Sequence, residues 1–236
     1  MRGKHSKAAD VDRPYVVTST PPTHVRGVVV LAHGGREVGT AVPSRFAQGL
    51  LRLVPIARAL AHRGAPDGLL VAQLRYRMAG YNDGAPVEDV RKVVGDLVRA
   101  HGVPVCLVGH SMGGRAVLQA ADAPGIAAVL ALAPWCPPSD PVDQLAGRQV
   151  VFAHGLDDRR IRPSQSREFA LRARTVTPTV CRFEVAHSGH GMVRRAHLWT
   201  VLTTSFVLGA LGITAMPQRI AAAMALPADE ACSVKI

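Results

Sequence analysis

Six short apolar runs punctuate the chain, at residues 26–32, 68–74, 103–108, 126–132, 149–153 and 180–185. They are rich in Val, Leu, Ile and Ala, and they do not alternate with polar positions except at 180–185, where Arg182 and Glu184 fall between apolar residues. Unbroken apolar runs of this length suit strands buried on both faces of a parallel sheet. Helical patterns lie between them. Val87, Val90, Val93, Val94, Leu97 and Val98 fall on one stripe at a 3.6-residue period, opened by Pro86 and closed by Gly102 and Pro104. Residues 50–62, 113–121 and 164–174 are shorter candidates. Strand and helix alternate throughout, which predicts an α/β fold: a doubly wound, mostly parallel sheet with helices on both faces. Ligands of such sheets sit beyond the carboxyl ends of the strands, so the residues just after each strand matter most.

Composition narrows this picture. The 236 residues leave room for one large domain. Hydrophobic residues are 48% and aromatic residues only 4%, so the core must be built from Ala, Val and Leu. No period of solenoid length repeats. The expected organisation is a flexible basic tail at 1–14, one domain at 15–212, and a C-terminal tail at 213–236 carrying a helix that could dock.

The net charge of +11 comes almost wholly from Arg, since Lys occurs only at 4, 7, 92 and 235. No zinc-finger, RNA-recognition or helix-turn-helix signature accompanies it, so a nucleic-acid partner is not expected. Cys106, Cys136, Cys181 and Cys232 form no C-x-x-C pair and no disulfide framework, which fits a reduced, cytoplasmic protein. Residues 1–12 are charged and lack the apolar core of a secretory signal. Residues 198–216 carry no formal charge and are long enough to span a bilayer. They also hold Thr200, Thr203, Thr204, Ser205 and Thr214, so a buried helix covering the sheet is the preferred reading and a membrane partner is not expected.

The strongest chemical signal is Gly109-His110-Ser111-Met112-Gly113, directly after the strand at 103–108 and before a helix. This is the G-x-S-x-G arrangement in its required context. A sharp turn lifts the serine hydroxyl above the sheet, and flanking side chains would collide with neighbouring backbone. The helix that follows points its N-terminus at the site and favours developing negative charge.

With His33-Gly34-Gly35 after the first central strand, His154-Gly-Leu-Asp-Asp158 after a later one and Ser188-Gly-His190-Gly191 after the last, the chain resembles the α/β-hydrolase superfamily. The likeness runs over about residues 26–210. It is nearest a small, lid-poor serine-esterase or dienelactone-hydrolase-like group. The resemblance implies a Ser, Asp, His triad in that chain order. Ser111 is the expected nucleophile. The base is His190, which matches the family's final Gly-His-Gly, with His187 as the alternative. The acid is Asp158, three residues after Gly155, with Asp157 as the alternative. The oxyanion hole would use the N–H of Met112 and that of Gly35 or Gly34. Trp135 and Cys136 are expected to line the acyl pocket. Some of Arg75, Arg77, Arg159, Arg160 and Arg162 should reach the cleft rim.

Cap domains of this superfamily usually enter between the strands at 126–132 and 149–153. The intervening residues leave room for a loop and little more, so the cap should be minimal or absent. No metal is expected at His187 and His190. No nucleotide-binding glycine motif appears, so no cofactor is expected either. The expected activity is ester hydrolysis of a small-molecule acyl substrate through an acyl-enzyme. A thioesterase, acyltransferase or peptidase would use the same residues. A non-catalytic binding module is the alternative of another class. Oligomeric state is not legible.

Overall fold

All six apolar runs become strands in a computed structural model, which describes residues 14–236. The basic tail expected at 1–14 lies almost wholly outside the described residues. The central strands are β2 (Gly27–Ala32), β3 (Leu69–Arg75), β4 (Val105–His110), β5 (Ile126–Leu132), β6 (Gln149–Gly155) and β7 (Val180–Val185). They pair in parallel, in the order β3-β2-β4-β5-β6-β7. Two further strands close the edges. β1 (Tyr15–Thr18) runs antiparallel to β3, and β8 (Val234–Lys235) runs parallel to β7.

Successive side chains of a strand point to opposite faces. Accordingly Val28, Val30 and Ala32 enter one core cluster, and Val29 and Leu31 enter the other. Both faces are covered by helices, and that is why the sequence does not alternate. α2 (Ala85–His101), α3 (Met112–Gln119) and α4 (Pro163–Ala173) cover the first face. α1 (Gln48–Gly64), α5 (Ala196–Ala210) and α6 (Gln218–Ala225) cover the second. The valine stripe of α2 is buried as its period requires, at Val87, Val90, Val93 and Val94. Each such side chain contributes about 1.5–3 kcal/mol on leaving water.

The uncharged stretch at 198–216 is largely α5. Thr200, Thr203 and Thr204 donate their hydroxyls to the carbonyls four residues back, at Ala196, Trp199 and Thr200. Their polar atoms are thus satisfied inside the helix, while Trp199, Phe206 and Val207 pack on the sheet. Among the described residues no helix is long and apolar enough to cross a membrane. Residues 213–236, set apart in the sequence as a tail, supply α6, α7 (Ala228–Ala231) and β8. Ile220, Ala223, Ala231 and Cys232 are buried, so the sheet and its cover continue past residue 212. All four cysteines are free and buried. Residues 133–148, where a cap would enter, hold one short 3-10 turn at Asp143–Leu145 and no other regular element.

Candidate active site

Ser111 follows the last residue of β4 and precedes α3 with a positive φ of 57° and ψ −121°. A non-glycine residue there is strained, and such strain persists only where the surroundings over-determine it. The surroundings do so by close backbone approach. A Cβ at Gly109 would run into the backbone of Gly113, and one at Gly113 into the carbonyl oxygens of Ala32 and His33. The Ser111 N–H donates to the Leu132 carbonyl at 3.0 Å, and the Trp135 N–H donates to the Ser111 carbonyl at 3.2 Å. The hydroxyl therefore stands at the carboxyl edge of the sheet, 7% exposed.

The Ser111 Oγ–H donates to His190 Nε2 at 2.9 Å, and His190 Nδ1–H donates to Asp158 Oδ2 at 2.8 Å. His190 rides on the loop after β7. That loop is anchored by Ser188, which is fully buried: its hydroxyl accepts from Trp199 Nε1 at 3.0 Å and donates to the Arg194 carbonyl at 3.0 Å. His187, Met192 and Arg195 adopt positive φ around it. Asp158 follows β6. Its Oδ1 accepts the N–H groups of Arg160 (2.9 Å) and Ile161 (3.0 Å), and its Oδ2 accepts a second imidazole, His154 Nε2, at 3.1 Å. Burial pushes the Asp158 carboxyl up, but the donors from His154, His190 and Ile161 outweigh it and hold it well below the usual carboxylate range.

The alternatives separate cleanly. Asp157 is exposed, and His187 is exposed with its ring in none of the hydrogen bonds of the site. Gly34 lies against Ser111, and Gly35 lies against Met112 and the Ala79 carbonyl. A Cβ at Gly34 would sit 3.2 Å from that of Ser111, and one at Gly35 would sit 2.6 Å from the Met112 sulfur. Among the described residues, the N–H groups of Gly35 and Met112 donate to no backbone acceptor.

Two cavities meet at Ser111. One, of about 580 Å³, is lined by Gly34, Val42, Arg52, His110, Arg160 and His190 among others. The other, of about 230 Å³, is lined by Gly35, Met112, Trp135, Arg160 and Ile161. Trp135 is held by Arg115, whose guanidinium lies 4.3 Å from the indole and 3.9 Å from the Tyr81 ring and makes a two-pronged bond to Asp140 at 2.7 Å. Cys136, expected beside Trp135 in the pocket, is not there. It is 2% exposed, packs into the core with the α2–α4 face and lines neither cavity. Of the arginines expected at the rim, Arg160 lines both cavities. Arg77 instead pairs with the buried Asp89 on α2.

Sequence reasoning passed over three buried histidines. His33 donates Nδ1–H to the Gly34 carbonyl (2.7 Å), and His110 donates Nε2–H to the His190 carbonyl (2.9 Å). Burial pushes them down to about 4 and about 3, with the nearby His190 adding to the effect on His110. His154 is fully buried and is also lowered, chiefly by burial. Its only sequence signal was its place four residues before Asp158.

These histidines set a pH dependence of stability. In the unfolded chain an imidazole titrates at about 6.5. Between that value and the lowered folded values, the unfolded state binds more protons, so stability falls as pH falls. His33 and His110 together remove roughly 4 kcal/mol between pH 7.5 and pH 5, a drop in Tm of about 10 °C. Thermal melts across that range test this, and a flat Tm would refute the neutral assignment.

No protein-family model matches the chain, and no curated protein matches it. Solved structures do. It superposes on Est1E from Butyrivibrio proteoclasticus with ferulic acid bound, with a TM-score of 0.62 and 15% identity over 84% of this chain and 96% of that one. It is similar to a Paleococcus ferrophilus monoacylglycerol lipase, with a TM-score of 0.61 and 16% identity over 86% of this chain and 100% of that one. A Xanthomonas campestris α/β serine hydrolase described as lacking a lid matches with a TM-score of 0.58 and 18% identity over 84% and 88% of the two chains. At such identities the likeness is one of fold. The parallel sheet, the strand order and these neighbours make this chain an α/β-hydrolase-fold protein, with a bare loop where a cap would enter.

Proposed function

We propose that the chain is a serine hydrolase that cleaves carboxylic esters through an acyl-enzyme. The observation that carries this reading is the unbroken line from Ser111 Oγ to His190 to Asp158, at 2.9 and 2.8 Å, with the serine on a strained turn at the mouth of two cavities. The neighbours named for lipase and serine-hydrolase activity support it in general terms.

A serine hydroxyl is a weak nucleophile until a base takes its proton. His190 Nε2 accepts that proton as Oγ attacks the ester carbonyl. Asp158 holds the Nδ1–H tautomer and stabilises the imidazolium without itself becoming protonated. The carbonyl oxygen becomes an oxyanion facing the N–H groups of Met112, at the start of α3, and of Gly35, in the loop after β2. His190 then protonates the leaving alcohol as the C–O bond breaks. Water, deprotonated by His190, attacks the acyl-enzyme and releases the acid and Ser111. The open cleft suits small or protruding acyl groups. Thioesters and amides present the same carbonyl, and a panel of matched ester, thioester and amide substrates separates these activities.

The test is intact mass after exposure to a fluorophosphonate. One adduct is expected on Ser111, absent in Ser111→Ala and in His190→Ala. A folded wild-type protein that takes up no probe would leave the chain as a binding module on this fold.

A further inference from the structure

Asp158 Oδ2 is shared by two imidazoles, and the partners and burial of the second select its protonation state. His154 Nε2 lies 3.1 Å from Asp158 Oδ2 and 3.2 Å from the Ile161 carbonyl. Both are acceptors, so Nε2 carries a proton. On the other side of the ring, Nδ1 lies 2.8 Å from Ser166 Oγ on α4. Ser166 Oγ already receives Nε–H of Arg182 at 3.0 Å. Its single hydroxyl proton can therefore turn either to His154 Nδ1 or to the Pro163 carbonyl, 3.0 Å away. The Pro163 carbonyl has a donor of its own in Arg182 Nη2, at 3.1 Å. The hydroxyl is thus free for a bare Nδ1, whereas a protonated Nδ1 would donate to Oγ and leave the hydroxyl to Pro163. Full burial of His154, with the Arg182 guanidinium behind Ser166, disfavours that charged form and selects the neutral one. Arg182 is itself 1% exposed and balanced by Glu184 at 2.8 Å.

We infer that His154, fixed as the neutral Nε2–H form by Ser166 and Arg182, is a positioning residue that weakens the hold of Asp158 on His190 and so sets the proton affinity of His190. The inference rests on the triad reading above. An N–H donated to Oδ2 draws electron density from the oxygen that His190 also uses. Without it, Asp158 would bind the imidazolium more tightly, and His190 would hold its proton to higher pH. The groups facing His190 are Asp158, Ser111 and the His110 ring at 5.0 Å, with Arg52 of α1 and Arg160 lining one cavity that it borders and Asp157, Arg159 and Arg194 lining another. Those facing His154 are Asp158 and Ser166, with Arg182 of β7 behind.

The experiment is the second-order rate of fluorophosphonate labelling at Ser111 against pH, for wild type, His154→Phe and His154→Gln. The Phe variant keeps a ring and removes the donor, and its acid limb should move up by about 0.5–1 pH unit. The Gln variant keeps a side-chain N–H and should restore the midpoint toward wild type. A folded Phe variant with an unmoved midpoint overturns the inference, since a purely structural role would slow labelling or lower Tm without moving the limb. Nitrogen NMR of the histidines in the wild-type protein gives a second reading that needs no substitution at 154. An Nε2–H His154 whose signal moves with the titration of His190 supports the inference, and an Nδ1–H His154 overturns it. Wild type that takes no label at all would instead refute the hydrolase reading.

Discussion

Replacing Ser111 by alanine is expected to lower kcat for ester hydrolysis by about 10⁶-fold, and His190→Ala by a similar factor. The two losses should not add. In the proposed mechanism Ser111 Oγ reacts only as His190 takes its proton, so removing either member removes the same event. The Ser111→Ala/His190→Ala double variant should be as slow as either single variant, at a residual rate set by the N–H groups of Gly35 and Met112 and by the cavity walls. The fold should survive. The Ser111 turn is held by its backbone N–H to Leu132 and by the packing of Gly109 on Gly113, neither of which uses the hydroxyl. Steady-state kinetics with an activated ester, together with a melt of each variant, make the comparison. Retention of more than a hundredth of wild-type kcat in Ser111→Ala would sink the nucleophile assignment. A multiplicative double variant would mean that the two residues act in separate steps.

Asp158→Asn should cost about 10⁴-fold in kcat, and the geometry says why. Oδ1 of Asp158 accepts two backbone N–H groups, from Arg160 and Ile161, at 2.9 and 3.0 Å. An amide at this position must place its oxygen there, because its NH₂ would face two donors. The NH₂ group is then forced into the Oδ2 position, facing His190 Nδ1 and His154 Nε2. His190 must present a bare Nδ1 to it and carry its proton on Nε2, toward Ser111. In that tautomer it cannot take the serine proton. The variant should bind substrate normally and show its loss in kcat rather than KM. Asp157→Asn is the control. Asp157 is exposed, and the contact it makes is its backbone N–H to the Ser188 carbonyl at 3.0 Å, so its kcat should stay within about twofold. A reversal of the two results would move the acid to Asp157.

Two features were strongly written in the local sequence. The six apolar runs became the central strands because a strand covered on both faces is apolar at nearly every position, with the Arg182–Glu184 pair of β7 as the exception, and nothing distant is needed to see that. The turn at Ser111 was equally legible through its motif, in which Gly109 answers a steric demand from Gly113 close by, although Gly113 itself makes room for the backbone of Ala32 and His33 at the end of a distant strand. The stripe on α2 likewise followed from a period of 3.6.

Other features depended on contacts between residues far apart in the chain. β1 and β8 have four and two residues, too few for any period to register, and exist because β3 and β7 offer them unpaired edges. Sequence could not choose physically between Asp157 and Asp158. The choice is made by the turn after β6, which aims one carboxylate at an imidazole 32 residues away, and that imidazole meets a hydroxyl 79 residues away. Cys136 looked like a neighbour of Trp135 and proved to face the core, because the loop's direction is set by Arg115 and Asp140 across the fold. His154 was visible only as a motif letter. Its contact with Asp158 needs the turn between them, and its protonation state needs Ser166 on α4 and Arg182 on β7. Local sterics and hydrophobic period, which act over a few residues, are written in the sequence. The aim of a side chain and the state of its proton depend on whatever the fold brings opposite it, and those were decided only in three dimensions.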